Sequence, residues 1–242
     1  HAEARYEPVG TVLIVTPWND PLLTPARKIA PALITGNAIL FKPASETPLI
    51  GIELTRILLH AGLPATVIST LTGRGGEVVD PILDAAGDAG TGAGAVQAVS
   101  FTGSTAIGLQ LQKRLAGSNV RVQTEMGGKN AVVVMPDADL DLAVEAIVAG
   151  AFAQTGQRCT ATSRVLVAEA VREEFSARLA AAVEGLEVGS GLDAGTQVGP
   201  VVSQSQRESV LGFIERARQA RIVVRARTEL PEARAAGGCY VA

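Results

Sequence analysis

Several short strings in this chain carry side chains with chemical capability. Cys159 lies in GQRCTATS, after an apolar stretch and before a β-rich one. Its glycine and small polar neighbours imply a tight loop. With Arg158 beside it, the thiol can take on thiolate character and act as a nucleophile. The competing reading of such a cysteine is an inert, packed side chain. Glu125 closes a predicted strand just before Gly127 and Gly128. Glycines there let another group approach, which suits a general base; the alternative is a solvated acid at a strand end. Asn19 sits in the turn TPWND, where its amide could donate to a developing oxyanion or simply complete the turn.

Two further strings suit a phosphate or a ribose. FTGSTAIG (101–108) follows a strand and opens a helix, and backbone N–H groups at a helix start favour an anion. Its spacing is not the dinucleotide fingerprint G-x-G-x-x-G, so the string alone is a weak nucleotide signal. Lys42 ends a strand at KPAS and could meet a ribose hydroxyl, a phosphate or only solvent. The other cysteine, Cys239, has no assigned role. The two histidines, His1 and His60, lie far from both cysteines in sequence, so no metal site is expected.

Alternating elements must position these residues. Apolar runs at 11–16, 38–42, 66–73, 96–101 and 120–128 read as strands, and amphipathic spacing predicts helices at 24–36, 47–62, 75–86 and 105–117. Thr47 is the expected N-cap of the second helix, with Pro48 at its first position. A Gly/Ala-rich loop covers 87–94. Further on, strands are expected at 130–135, 163–169 and 222–226, helices at 137–156, 170–186 and 203–220, and a turn with a strand start at GGCYVA. This β-α-β-α order predicts an α/β fold, a parallel sheet with helices on both faces.

Composition sets the outer bounds. With 242 residues and 47% hydrophobic side chains, the chain can bury a sizeable core, which excludes disorder throughout. A net charge of −3 argues against a general nucleic-acid binder. No apolar run approaches the roughly 18 residues of a membrane-spanning helix, and the first residues lack the core of a secretory signal. The expectation is a cytoplasmic protein without nucleic-acid or membrane partners.

In order along the chain, TPWN, FKPAS, FTGST, EMGGKN and GQRCTATSR resemble the aldehyde dehydrogenase superfamily, from about Pro8 onward. The resemblance implies a Rossmann-like coenzyme domain over 1–128, followed by part of a second α/β catalytic domain over 129–242. It implies NAD(P)-dependent oxidation of an aldehyde to its acid, in the hydrolytic branch. Cys159 matches the nucleophile, Glu125 the base that activates water, and Asn19 the oxyanion donor. An acylating relative that transfers to coenzyme A usually lacks this glutamate. Lys42 matches the lysine on the adenosine ribose, Gly103 and Ser104 the pyrophosphate-facing turn, Ile107 an adenine-side residue, and Trp18 the aromatic beside the nicotinamide strand end. Ser45 stands where many NAD-preferring relatives carry Glu. Lacking that carboxylate, the position tilts the cofactor expectation to NADP, or to use of both NADP and NAD.

KPAS together with GQRCTATSR is similar to semialdehyde dehydrogenases. By family standards the chain reads as a fragment without the usual N- and C-terminal portions, and the full-length form is expected to be a homo-oligomer. The alternative from another class is a catalytically silent nucleotide-binding or interaction fragment.

Overall fold

The computed structural model of the chain describes residues 3, 5–87, 96–217 and 237–241. It divides into two compact units, His1–Gly127 and Gly128–Ala242.

In the first unit, apolar runs ended by turn residues form β1 (Thr11–Val15), β2 (Ala38–Lys42), β3 (Ile68–Thr70), β4 (Ala98–Gly103) and β5 (Arg121–Met126). Every neighbouring pair is parallel, in the order β3-β2-β1-β4-β5. Parallel neighbours need crossovers, and helices supply them: α1 (Leu23–Ile34), α2 (Pro48–His60), α3 (Gly75–Gly87) and α4 (Thr105–Leu115). Leu13 on β1 packs with Val79 and Leu83 of α3 and with Leu111 and Leu115 of α4. Its neighbours Val12 and Ile14 face the other way, toward Ile29 of α1 and Leu54 and Leu58 of α2. Both faces of the central strand are therefore covered, so its sequence is a continuous apolar run rather than an alternation. The edge strand β5 does alternate: Val122, Thr124 and Met126 are half-buried, while Arg121, Gln123 and Glu125 are exposed.

The chain winds outward from β1 through β2 to β3, then returns to place β4 on the other side of β1. At such a reversal the two connections leave in opposite directions, opening a crevice at the carboxyl ends of β1 and β4. Asn37 ties the opposite end of β1 to α1. Its Oδ1 accepts from the N–H groups of Val9 (2.7 Å) and Gly10 (3.1 Å), and its Nδ2 donates to Ala32 O (3.0 Å) and Thr35 Oγ1 (2.8 Å).

The cap of α2 differs from expectation. Thr47 does precede Pro48, but its side chain makes no capping bond, and its buried Oγ1 has no partner among the described residues. Its backbone, at φ −134° and ψ 45°, lies outside the extended geometry that aims an N-cap oxygen at the first turn.

The second unit contains β6 (Asn130–Val134) and β7 (Thr162–Val167), paired in parallel through α5 (Leu140–Phe152), followed by α6 (Arg172–Glu184) and α7 (Gln204–Ala217). Asp139 caps α5 by accepting from the N–H groups of Asp141 and Leu142, each at 3.1 Å. Val134, Val144, Ile147 and Phe175 form the core beneath the strands. The helix expected over 137–156 ends early. Beyond Phe152 the chain enters a short 3-10 turn, and Gln154, Thr155 and Gly156 take left-handed φ values of 51°, 59° and 67°. The strand expected at 222–226 and, apart from Gly87, the loop at 87–94 lie outside the described residues. Residues 237–241 form a turn and no strand; the Cys239 carbonyl accepts from Val201 N at 2.9 Å.

Candidate active site

The parallel sheet brings the cofactor candidates to one edge. Val15 ends β1 in register with Lys42 on β2 and Phe101 on β4. Trp18 and Asn19 follow β1, Ser45 follows β2, and Gly103 and Ser104 join β4 to α4. On β5, Glu125 lies opposite Thr102, and Met126 opposite Gly103. All sit at or just past the carboxyl ends of their strands, where parallel α/β sheets hold ligands.

Lys42 is 4% exposed, and its Nζ donates to Ser45 Oγ at 3.3 Å. Burial pushes its ammonium below the ordinary lysine range, partly opposed by Glu46. An ammonium has three donors, and this one uses a single partner among the described residues. Ser45 Oγ donates in turn to Gly73 O at 2.8 Å, so the loop after β3 lies against it. The next residue, Arg74, is exposed, and its guanidinium has no partner among the described residues. At the end of β1, the buried Thr16 Oγ1 is likewise unpartnered.

Ser104 caps α4, its Oγ accepting from Ile107 N at 3.5 Å, and Ile107 is half exposed on the first helical turn. A Cβ on Gly103 would come within 2.6 Å of the Phe101 ring, so the backbone passes there at a distance only glycine allows. A buried ammonium with free donors, an orphan hydroxyl and a bare turn at a helix start together fit the phosphates and ribose hydroxyls of a dinucleotide. Asn19 is half-buried, and its Oδ1 accepts from Asp20 N at 3.0 Å.

The sequence reading did not single out Lys28. From α1 its Nζ donates to Ser100 Oγ (2.8 Å), Gln123 Oε1 (3.0 Å) and Phe101 O (3.4 Å). Ser100 Oγ also donates to Gln123 Oε1 (2.6 Å), whose Nε2 donates to Glu125 Oε1 (3.1 Å). Burial pushes the Lys28 ammonium down, and the Glu125 carboxylate partly restores it. Glu125 is thus an exposed acid at the end of a polar chain reaching a half-buried cation. One signal was available: Lys28 falls on the side of α1 that also carries the buried Pro25 and Ile29.

Cys159 belongs to the second unit and is exposed rather than packed. The left-handed turn Gln154–Gly156 leads into its loop. Thr155 Oγ1 donates to Gly199 O (3.1 Å), and Gln157 Oε1 accepts from Val202 N (2.9 Å). Arg158, expected beside the thiol, donates instead to the Gln154 side chain. Left-handed backbone at a residue other than glycine costs about 1 kcal/mol or more, and it persists where surrounding bonds hold it, often at functional sites. Nothing in the local sequence marked Gln154 or Thr155 for this conformation.

A model of the aldehyde dehydrogenase family matches residues 1–242. The chain belongs to that family. It is 43% identical over 211 residues to a 2,5-dioxopentanoate dehydrogenase of Saccharolobus solfataricus, a match spanning 86% of this chain and 42% of the relative. Against an alpha-ketoglutaric semialdehyde dehydrogenase of Bacillus subtilis it is 39% identical, over 88% of this chain and 42% of the relative. The chain thus spans less than half the length of these curated relatives.

Among solved structures, it resembles a betaine aldehyde dehydrogenase from Staphylococcus aureus in complex with NAD+, with a TM-score of 0.85 at 33% identity, covering 94% of this chain and 44% of that one. A glyceraldehyde-3-phosphate dehydrogenase from Methanocaldococcus jannaschii, complexed with NADP, gives a TM-score of 0.79 at 38% identity, over 89% of this chain and 46% of that one. The family's α/β architecture, with its Rossmann-like sheet, is the one described above.

Proposed function

We propose that the protein this chain represents oxidises an aldehyde to a carboxylic acid with NADP or NAD. The observation that carries this is the gathering of Lys42, Ser45, Trp18, Asn19, Gly103, Ser104 and Glu125 along the carboxyl edge of one parallel sheet, in a chain whose Cys159 is exposed on a held loop. In this reading the Cys159 thiolate attacks the aldehyde carbon, forming the C–S bond of a thiohemiacetal. The Asn19 amide and the Cys159 backbone N–H donate to the resulting oxyanion. When bound, NADP or NAD would supply the hydride acceptor, and Cys159 would then carry the acyl group as a thioester. Glu125 then takes a proton from water, whose oxygen adds to the thioester carbonyl; the acid departs and the thiolate returns. Lys28 places a positive charge in the polar chain behind Glu125.

NADP is the favoured cofactor. Ser45 adds no carboxylate to the one Glu46 already brings near Lys42, and Lys42 and Arg74 offer donors that have no partner among the described residues to a 2′-phosphate. The substrate class is a semialdehyde, in keeping with the relatives named above. The test is incubation with a semialdehyde and each cofactor, following reduced nicotinamide by absorbance. Wild type is expected to turn over and Cys159→Ala not to. Turnover that survives in Cys159→Ala refutes the mechanism, and cofactor binding without any turnover identifies a nucleotide-binding fragment instead.

A further inference from the structure

Asn130 opens β6, and its side-chain nitrogen donates to two carbonyls of the nucleophile's loop, Cys159 O at 2.7 Å and Ala161 O at 3.1 Å. Both neighbours are pure acceptors, so the NH2 end of the amide must face them. The strand pairing explains how the side chain comes to lie there. Asn130 pairs with Thr162 but Ala131 with Arg164, so Ser163 is an extra residue in β7 and the ladder is irregular at this point. Bulges of this kind re-aim side chains and are over-represented beside functional sites. Arg164 also donates to Lys129 O at 2.6 Å, fixing the residue before Asn130.

The two clamped carbonyls differ in their surroundings. Ala161 is buried, whereas Cys159 and Thr160 are exposed. The Asn130 amide therefore adds a side-chain tie between the exposed nucleophile and a buried residue two positions on. On the loop's other flank, Thr155 and Gln157 bond to Gly199 and Val202. With that flank held and the turn closed by the Ala161 N–H donating to Arg158 O (3.1 Å), the bond from Asn130 fixes the Cys159 carbonyl within the turn, and turning that peptide plane swings the Cα–Cβ bond that carries the sulfur.

We propose that Asn130 is a positioning residue for the Cys159 thiol, acting through the Cys159 and Ala161 carbonyls. The proposal rests on the function given above, so its test has one arm that needs no turnover. Asn130→Asp keeps the shape but replaces the donor with an oxygen that repels both carbonyls, while Asn130→Ser keeps one donor. Hydrogen exchange on the whole chain should show the Ala161 amide, which donates to Arg158 O, exchanging at least about tenfold faster in Asn130→Asp, with β1–β5 unchanged. With aldehyde and NADP, kcat should fall at least about tenfold while the NADP dissociation constant stays within about twofold, and Asn130→Ser should lie between Asp and wild type. Exchange in Asn130→Asp equal to wild type overturns the proposal. So does a kcat loss matched by an equal loss of cofactor affinity and thermal midpoint, which marks a general structural role. If wild type shows no turnover, the proposed function fails, and the exchange arm alone decides the clamp.

Discussion

Ser45 offers the sharpest test of cofactor choice. Its hydroxyl lies 3.3 Å from Lys42 Nζ and 2.8 Å from Gly73 O, and Arg74 follows directly. Ser45→Glu would place a carboxylate beside Lys42, engaging its free donors and adding a negative charge where a 2′-phosphate would bind. Two unit charges about 4 Å apart interact by about 1 kcal/mol at the dielectric of water and about 4 kcal/mol at an effective value of 20. Ser45 is exposed, so the lower figure applies. A phosphate monoester carries nearly two charges, which brings the repulsion to about 2 kcal/mol, or roughly 30-fold in affinity.

The chain's one tryptophan, Trp18, sits half-buried just past β1 and provides the signal. Titrating its fluorescence with each cofactor should show the NADP dissociation constant rising about 30-fold in Ser45→Glu, with NAD changed by less than about threefold. The gap should narrow as salt is added, because exposed charges are screened. Arg74→Ala should weaken NADP in the same direction and leave NAD alone. If Ser45→Glu binds NADP as tightly as wild type does, the repulsion argument is wrong.

Two further predictions concern stability. Burial holds the Lys42 pKa below 10.5, so the folded state carries a cost for its charge that is full below the lowered pKa and fades as pH rises through it toward the unfolded value. Lys42→Met should therefore raise the thermal midpoint near neutral pH, by about 1 kcal/mol in stability, while weakening cofactor binding. That stability advantage should shrink in alkaline buffer; an advantage that grows with pH would contradict the assignment. Asn37→Ala removes a nearly buried amide with four hydrogen bonds and strands the N–H groups of Val9 and Gly10. The denaturant midpoint should report a loss of about 2–4 kcal/mol, with Asn37→Asp in between because it keeps the acceptor. A loss under about 0.5 kcal/mol would show that water replaces these bonds.

The sequence by itself determined the alternation of strands and helices from β1 to α7 among the described residues. The apolar runs at 11–16 and 38–42 form β1 and β2 almost residue for residue, because a strand covered on both faces needs an unbroken apolar run. The ordered motifs also determined the family. What the tertiary structure decided is how distant segments meet. The strand order β3-β2-β1-β4-β5 follows from which crossover returns over the sheet, and no single strand's composition records that. The contact of Lys28 with Ser100 and Gln123 joins a helix to two strands far along the chain.

The helix expected through 156 shows the same limit from the other side. Local spacing favours continuing it, but a hydrogen bond donated by Thr155 and one accepted by Gln157, both with residues more than forty positions away, hold the chain in a left-handed turn. Periodicity reports how a segment meets a flat or cylindrical neighbour. It carries no information about a single hydrogen bond closed over a long loop, and such bonds set the grip of Asn130 on the Cys159 loop.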